Sequence, residues 1–344
     1  MPAKLLLNRK GLYMSRFILA AALLLSSIAV KAENLICIFD PVGANGDITA
    51  LMKDFQLKAA EWGADIKLQS LTDESIIVNE LKAGKCAGAL LTGINTRPFN
   101  RFSATVEAVG GTLGDAGMRN LLTTLLSLPA NKAQKYFRNS FYDIAGIMPA
   151  GSIYAFMGDR ELYDLDKLQG KRVAVIDGDD VSQSIIKQIG ASPVLATTTS
   201  FAGKFNNGSV DTVFSPAVAY EPLELYRGLG ESGGITDYAF LQLTFQLIIR
   251  WDQFPEGFAA KARATSLDNF DSAFDFIERE SKKIDKKYWV KVPKEHRENY
   301  DTVLRAARIT LRDKGVYDPT MLKIMRKLRC KEEPTRAECS ENLE

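Results

Sequence analysis

Across 344 residues the chain carries 44 Lys and Arg against 42 Asp and Glu, one histidine and four cysteines, and 46% of it is hydrophobic. So small a net charge excludes the electrostatic footprint of a nucleic-acid binder, and a single histidine excludes any mechanism that needs two. A length above 300 residues can bury a sizeable core and usually divides it between two domains.

Residues Met1 to Ala32 read as an export signal. Lys4, Arg9, Lys10 and Arg16 make the basic start, Phe17 to Ile28 the apolar core, and Val30-Lys-Ala32 offers small residues where a signal peptidase cuts. The uncharged run of about 14 residues falls short of the roughly 20 that span a bilayer. Without this segment 39 basic residues face 42 acidic ones, a net charge of about minus three, so the positive balance belongs to the signal. The expected compartment is an oxidising one beyond the cytoplasm, where thiols pair. Cys37, Cys86, Cys330 and Cys339 allow three connectivities, of which Cys37 with Cys86 and Cys330 with Cys339 are favoured; their spacings are not those of a zinc site, and no metal or cofactor is expected.

Asn34 to Asp40 reads as an apolar strand that runs into Pro41-Val-Gly-Ala-Asn-Gly-Asp47, then a helix with Ile48, Leu51, Met52, Phe55, Ala59 and Trp62 at helical spacing. Asp47 is the expected cap, and the loop, with Asp40 and Asn45, presents free N–H groups to a polar ligand. Ala64 to Leu71 is a strand, Asp73 to Lys82 a helix and Ala87 to Thr92 a third strand, giving β-α-β-α-β. Ligands meet the carboxyl ends of such strands, so Asn95, Arg97 and Arg101 are candidate contacts, with Phe99 and Phe102 as walls and the arginines as an anion fork.

Ser103 to Pro129 is glycine-punctuated and helical with Leu121, Leu122, Leu125 and Leu126 inside; Asn131 to Asn139 is a polar helix. Phe141 to Pro149 is a strand, and Gly151 to Asp159 continues extended as a crossover, with Tyr142 and Tyr154 as cleft candidates. A second β-α-β-α-β unit follows: strands Arg172 to Ile176, Pro193 to Ala196 and Val210 to Phe214, with a helix capped by Asp179 or Asp180 and another capped by Ser200. Its carboxyl-end loops, Asp177 to Ser182 and Ser215 to Tyr220, supply Asp177, Ser182, Ser215 and Tyr220 as further candidates. After Pro222 come a helix, a flexible break at Gly228 to Gly234, a returning strand Tyr238 to Ile249, and amphipathic helices at about Glu256 to Ala264, Leu267 to Lys286 and Pro293 to Lys314. Asp318 and Pro319 start a last helix.

The stretch Asp166-Lys-Leu-Gln-Gly170-Lys-Arg-Val, Ile189-Gly-Ala-Ser-Pro-Val194, Asn207-Gly-Ser-Val-Asp211, Phe214-Ser-Pro216, and later Trp251 to Pro255, resembles the solute-binding proteins of tripartite ATP-independent periplasmic (TRAP) transporters. Over roughly residues 160 to 290 the order and spacing match. The family's ligand-clamping arginine falls on Ala174 and its Asn before Pro on Ser215, so carboxylate recognition does not carry over.

The resemblance implies an α/β, two-lobed periplasmic binding protein of type II-like build, each lobe a mainly parallel sheet flanked by helices. The expected division is 1–32 signal, 33–150 with 236–275 lobe I, 151–235 lobe II and 276–344 C-terminal helices ending in a disulfide loop. Hinge motion near Pro149 to Asp159 and Gly233 to Tyr238 would close the cleft over a small molecule, an organic acid among the options. Implied partners are that ligand and the membrane permease of a transporter, with the chain itself a monomer. The alternative readings are an accessory or sensory subunit, such as one of an efflux system, and a binding fold recruited as an enzyme; no catalytic constellation is legible.

Overall fold

The computed structural model describes residues 34–341 and 343–344; the expected signal lies outside them. β1 (Asn34–Phe39) pairs in parallel with β2 (Ile66–Leu71), Asn34 opposite Ile66, and with β3 (Gly88–Thr92), Ile36 opposite Gly88. Helices Asp47–Glu61 and Glu74–Lys82 make the crossovers. All five residues of β3 are buried because apolar clusters cover both faces, Leu91 packing with Phe99 and Met118, and Leu90 with Ile36 and Phe258.

β4 (Tyr142–Met157) is one strand of 16 residues that serves both halves of the sheet. Its first part and β9 (Leu241–Arg250) run antiparallel, Tyr142 opposite Arg250, and β9 in turn lies antiparallel to β3. Its far end pairs with β7 (Thr212–Pro216), which leads to β5 (Arg172–Ile176) and the edge strand β6 (Ser192–Ala196). The order is β2-β1-β3-β9-β4-β7-β5-β6, with short β8 (Gly234–Thr236) on β4 and β10 (Trp289–Val290) on β8. Pro193 sits on the edge strand, where a missing N–H does least harm. Register shifts at Ile144/Gly146 and Pro149/Gly151 bend β4, and Gly151 holds φ +96°, a backbone state that side chains disfavour. The extended crossover expected at Gly151 is thus a continuation of the same strand.

Several local expectations change. The N-cap position of the first helix is Gly46, and it is Asp40, not Asp47, whose carboxylate accepts from the Thr49 N–H at 2.9 Å, since Asp40 is buried beneath the turn. Ser200 precedes its helix, yet its hydroxyl accepts from Thr197 N instead of a helical N–H. The segment after Pro222 forms only the four-residue helix Tyr226–Leu229, because Glu224 adopts a left-handed φ of 52° and breaks the turn before it. The helix expected at about Glu256 to Ala264 runs on to Asp268 as Phe258–Asp268, and the one expected from Leu267 to Lys286 is shorter at both ends, Phe270–Lys282.

The C-terminal helices Lys294–Asp313 and Pro319–Glu332 strap the two halves together. Tyr300, Leu304 and Leu311 pack with Val109, Ile153 and Leu241, while Met321 and Met325 enter the core around β3. Beneath them Arg329 is bound to Glu338 (2.7 Å) and Glu344 (3.0 Å), Arg308 to the same two carboxylates, and the two arginines also donate to the carbonyls of Gly111 and Val109. Disulfides join Cys37 to Cys86 and Cys330 to Cys339.

Candidate functional site

The loop leaving β3 is built on two buried carboxylates. Glu74 accepts from Thr92 N (2.6 Å), Thr92 Oγ1 (2.9 Å) and Asn95 Nδ2 (2.8 Å). Glu107 accepts through one oxygen from Gly93 N (2.9 Å) and from the amide and hydroxyl of Thr244, and its other oxygen has no partner. Burial pushes both carboxyls up to about 7, with these hydrogen bonds opposing it. This scaffolding fixes the short helix Gly93–Thr96 and aims Arg97 across the molecule.

Arg97 lies 5.4 Å over the Tyr317 ring and 3.7 Å from Asp179 Oδ1, so a residue after β3 faces a residue after β5. Asp179 caps the helix Asp180–Gln188 through Ser182 N, and its second oxygen takes the Ser182 hydroxyl. A second contact between loops of the two halves is Thr198 Oγ1 to Thr72 O at 3.1 Å. Beside the Arg97–Asp179 pair lies a cavity of about 160 Å³. Ile94 and Val109 come to it from the first half, Ala174, Asp179, Ser182, Ile185 and Phe214 from the second, and Tyr300, Val303 and Leu304 from the C-terminal helix. Its wall is almost wholly apolar.

Of the residues expected from sequence, Ser182 lines this cavity and Arg97 reaches its edge through Asp179. Asn95 holds Glu74, and Asp40 holds its own turn. Asn45 and Asp177 are exposed on loops, and Arg101 is exposed and donates to Gly315 O at 2.8 Å. Tyr154 packs edge-on against Trp289, 5.1 Å between centroids, and burial raises its hydroxyl pKa. Ser215 is buried in the β4–β7 ladder opposite Tyr154. Tyr220 is buried against Tyr226 in the core around β7 and its pKa is pushed up to about 12, first by desolvation. Phe99 and Phe102 pack on Tyr142 and Tyr136 in the core instead of walling a pocket. Sequence reasoning passed over Glu107 and Tyr317. A lone carboxylate inside the small and apolar run Ser103-Ala-Thr-Val-Glu-Ala-Val109 was the available signal for the first.

A sheet whose two halves share β4, and whose carboxyl-end loops meet around a cavity, defines the class of two-lobed solute-binding proteins. Residues 57–344 match the family described as solute-binding protein AdeT 1/2. The chain is 38% identical over 306 residues to the probable solute-binding protein AdeT1 of Acinetobacter baumannii, covering 89% of this chain and 100% of that one. It is 24% identical over 221 residues to AdeT2 of the same organism, covering 64% and 92%. The chain belongs to the AdeT1/2 solute-binding protein family. Its fold is that of TRAP periplasmic solute-binding proteins: the one from Desulfovibrio salexigens with bound orotic acid superposes with a TM-score of 0.71 at 13% identity, covering 88% of this chain and 99% of that chain. The one from Desulfovibrio desulfuricans with bound sn-glycerol-3-phosphate gives 0.66 at 14%, covering 86% and 99%.

Proposed function

We propose that the protein works in the periplasm as the capture subunit of a membrane transporter of TRAP type, taking a small molecule between its two halves and passing it to a permease. The observation that carries this reading is the cavity at the carboxyl ends of β3 and β5, walled from both halves and bordered by the Arg97–Asp179 pair. The moving bodies are 33–150 with 236–275 and 151–235, with the C-terminal helices 276–344 riding on both. Bends at Ile144/Gly146 and Pro149/Gly151 in β4 supply the hinge. Structural neighbours that hold small ligands support the reading, since the same architecture serves that task in them. Closure needs only that ligand bind the closed form better than the open one.

The test is a thermal-shift screen of the secreted, oxidised protein against a metabolite library, repeated with Arg97→Ala and Arg101→Ala. A ligand at 100 times its dissociation constant adds about 2.7 kcal/mol, a readable rise in Tm. The expected result is a hit weakened by Arg97→Ala and retained in Arg101→Ala. Silence across sugars, amino acids, organic acids, nucleosides and neutral aromatics would turn the reading towards an accessory subunit with a protein partner.

A further inference from the structure

The cavity selects its occupant by size, by charge and by one unsatisfied group. At about 160 Å³ it matches the roughly 150 Å³ at which an apolar cavity stays dry and accepts a benzene ring. Hydrocarbon from Ala174, Phe214, Phe240 and Leu304 makes much of its wall. The charged residue in that wall is Asp179, whose carboxylate already takes the Ser182 amide and hydroxyl and faces Arg97 at 3.7 Å. An entering anion would meet the Asp179 carboxylate in the wall, while Arg97, whose Nε has no hydrogen-bond partner, stands outside the lining and faces that carboxylate at 3.7 Å, so the anion's lost hydration would go uncompensated. Thr212, also in the wall, is 1% exposed, and its hydroxyl has no hydrogen-bond partner. Buried hydroxyls are nearly always paired. This one is closed to a water-sized molecule as it stands, and a ligand reaches it once the Thr212 side chain turns about χ1 toward the cavity.

We propose, taking this cavity as the solute site, that the ligand is an uncharged, largely hydrocarbon molecule about the size of one substituted aromatic ring, with a single hydrogen-bonding group that meets the Thr212 hydroxyl. The selectivity runs against carboxylates. It follows from Ala174 standing in the wall beside Asp179 with no cation of its own to offer.

The probes are p-cresol and toluene as neutral rings and benzoate as an anion of the same size, titrated into the full secreted protein by calorimetry and by ligand-observed saturation-transfer NMR. Saturable binding of both neutral rings is expected, with benzoate at least tenfold weaker. Thr212→Val keeps the shape and removes the hydroxyl, so the p-cresol to toluene affinity ratio falls roughly three- to tenfold. Ile185→Phe and Val303→Phe fill the cavity from two different helices, and either, once shown folded by circular dichroism, abolishes binding of both rings. Neutral-ring binding that survives both filling variants overturns the proposal, as does an unchanged ratio in Thr212→Val. Benzoate binding more tightly than p-cresol overturns the ligand class and leaves the solute-binding reading standing. Failure of the neutral rings together with the whole metabolite library removes both.

Discussion

Glu74 and Glu107 each give up water to hold a single loop, and their carboxyls rise from 4.5 to about 7 as a result. A carboxyl with a raised folded pKa binds its proton more tightly in the native than in the unfolded chain. Their contribution is therefore fully present below pH 4.5 and is lost as pH climbs through about 7, each carboxyl accounting for up to about 3 kcal/mol. Measured Tm should drop between pH 5 and pH 8. Glu107→Gln keeps an oxygen for Gly93 and Thr244 and removes the titration, so its Tm should fall less over the same range; a slope equal to that of the native chain would show that Glu107 is not the titrating group. The same scale explains why Arg97 and Arg101, both placed at the site by topology, have different partners. Arg97 is the last residue of a turn pinned from below and reaches Asp179, whereas Arg101 opens the next short helix and reaches the carbonyl of Gly315.

Among the elements, β1 and the start of β3 are held by more than their ladder. The Cys37–Cys86 bridge spans 49 residues and both sulfurs are buried. By loop entropy it is worth about 4 kcal/mol. Cys37→Ala with Cys86→Ala should lower the unfolding free energy read in urea by that amount, with a steeper slope because the uncrosslinked unfolded chain is less compact. A fall under about 1 kcal/mol would mean that the parallel pairing of β1 with β3 suffices. The Cys330–Cys339 loop of nine residues carries a smaller entropic share, but it also positions Glu338 against Arg329. Strand β4 shows the opposite economy, one element of 16 residues bent by two register shifts so that it pairs with β9 at one end and β7 at the other.

At the level of the whole molecule, the C-terminal helices decide how the halves are held. Arg308, Arg329, Glu338 and Glu344 form a buried network whose free donors end on the carbonyls of Val109 and Gly111, the loop that borders the cavity. Arg329→Met leaves Glu338 and Glu344 short of a partner and should cost about 3–5 kcal/mol, read by urea unfolding. Pairing it with Glu338→Gln should recover part of that loss; simple additivity would show that the two side chains do not interact. The sequence by itself determined the α/β class, the two β-α-β-α-β units and the loops at the strand ends, and favoured the disulfide pairing, because helical spacing, alternation and turn residues act over a few positions. It also marked Ala174 as a place without a cation. Only the tertiary structure decided that Asp40 is spent on its own turn and Asn95 on Glu74, that Tyr220 and Ser215 face the core, and that Arg97 meets Asp179. Those outcomes depend on pairings between residues tens of positions apart, with Thr244, Tyr317 and the C-terminal helix closing around them, and no local pattern records which distant side chain will arrive.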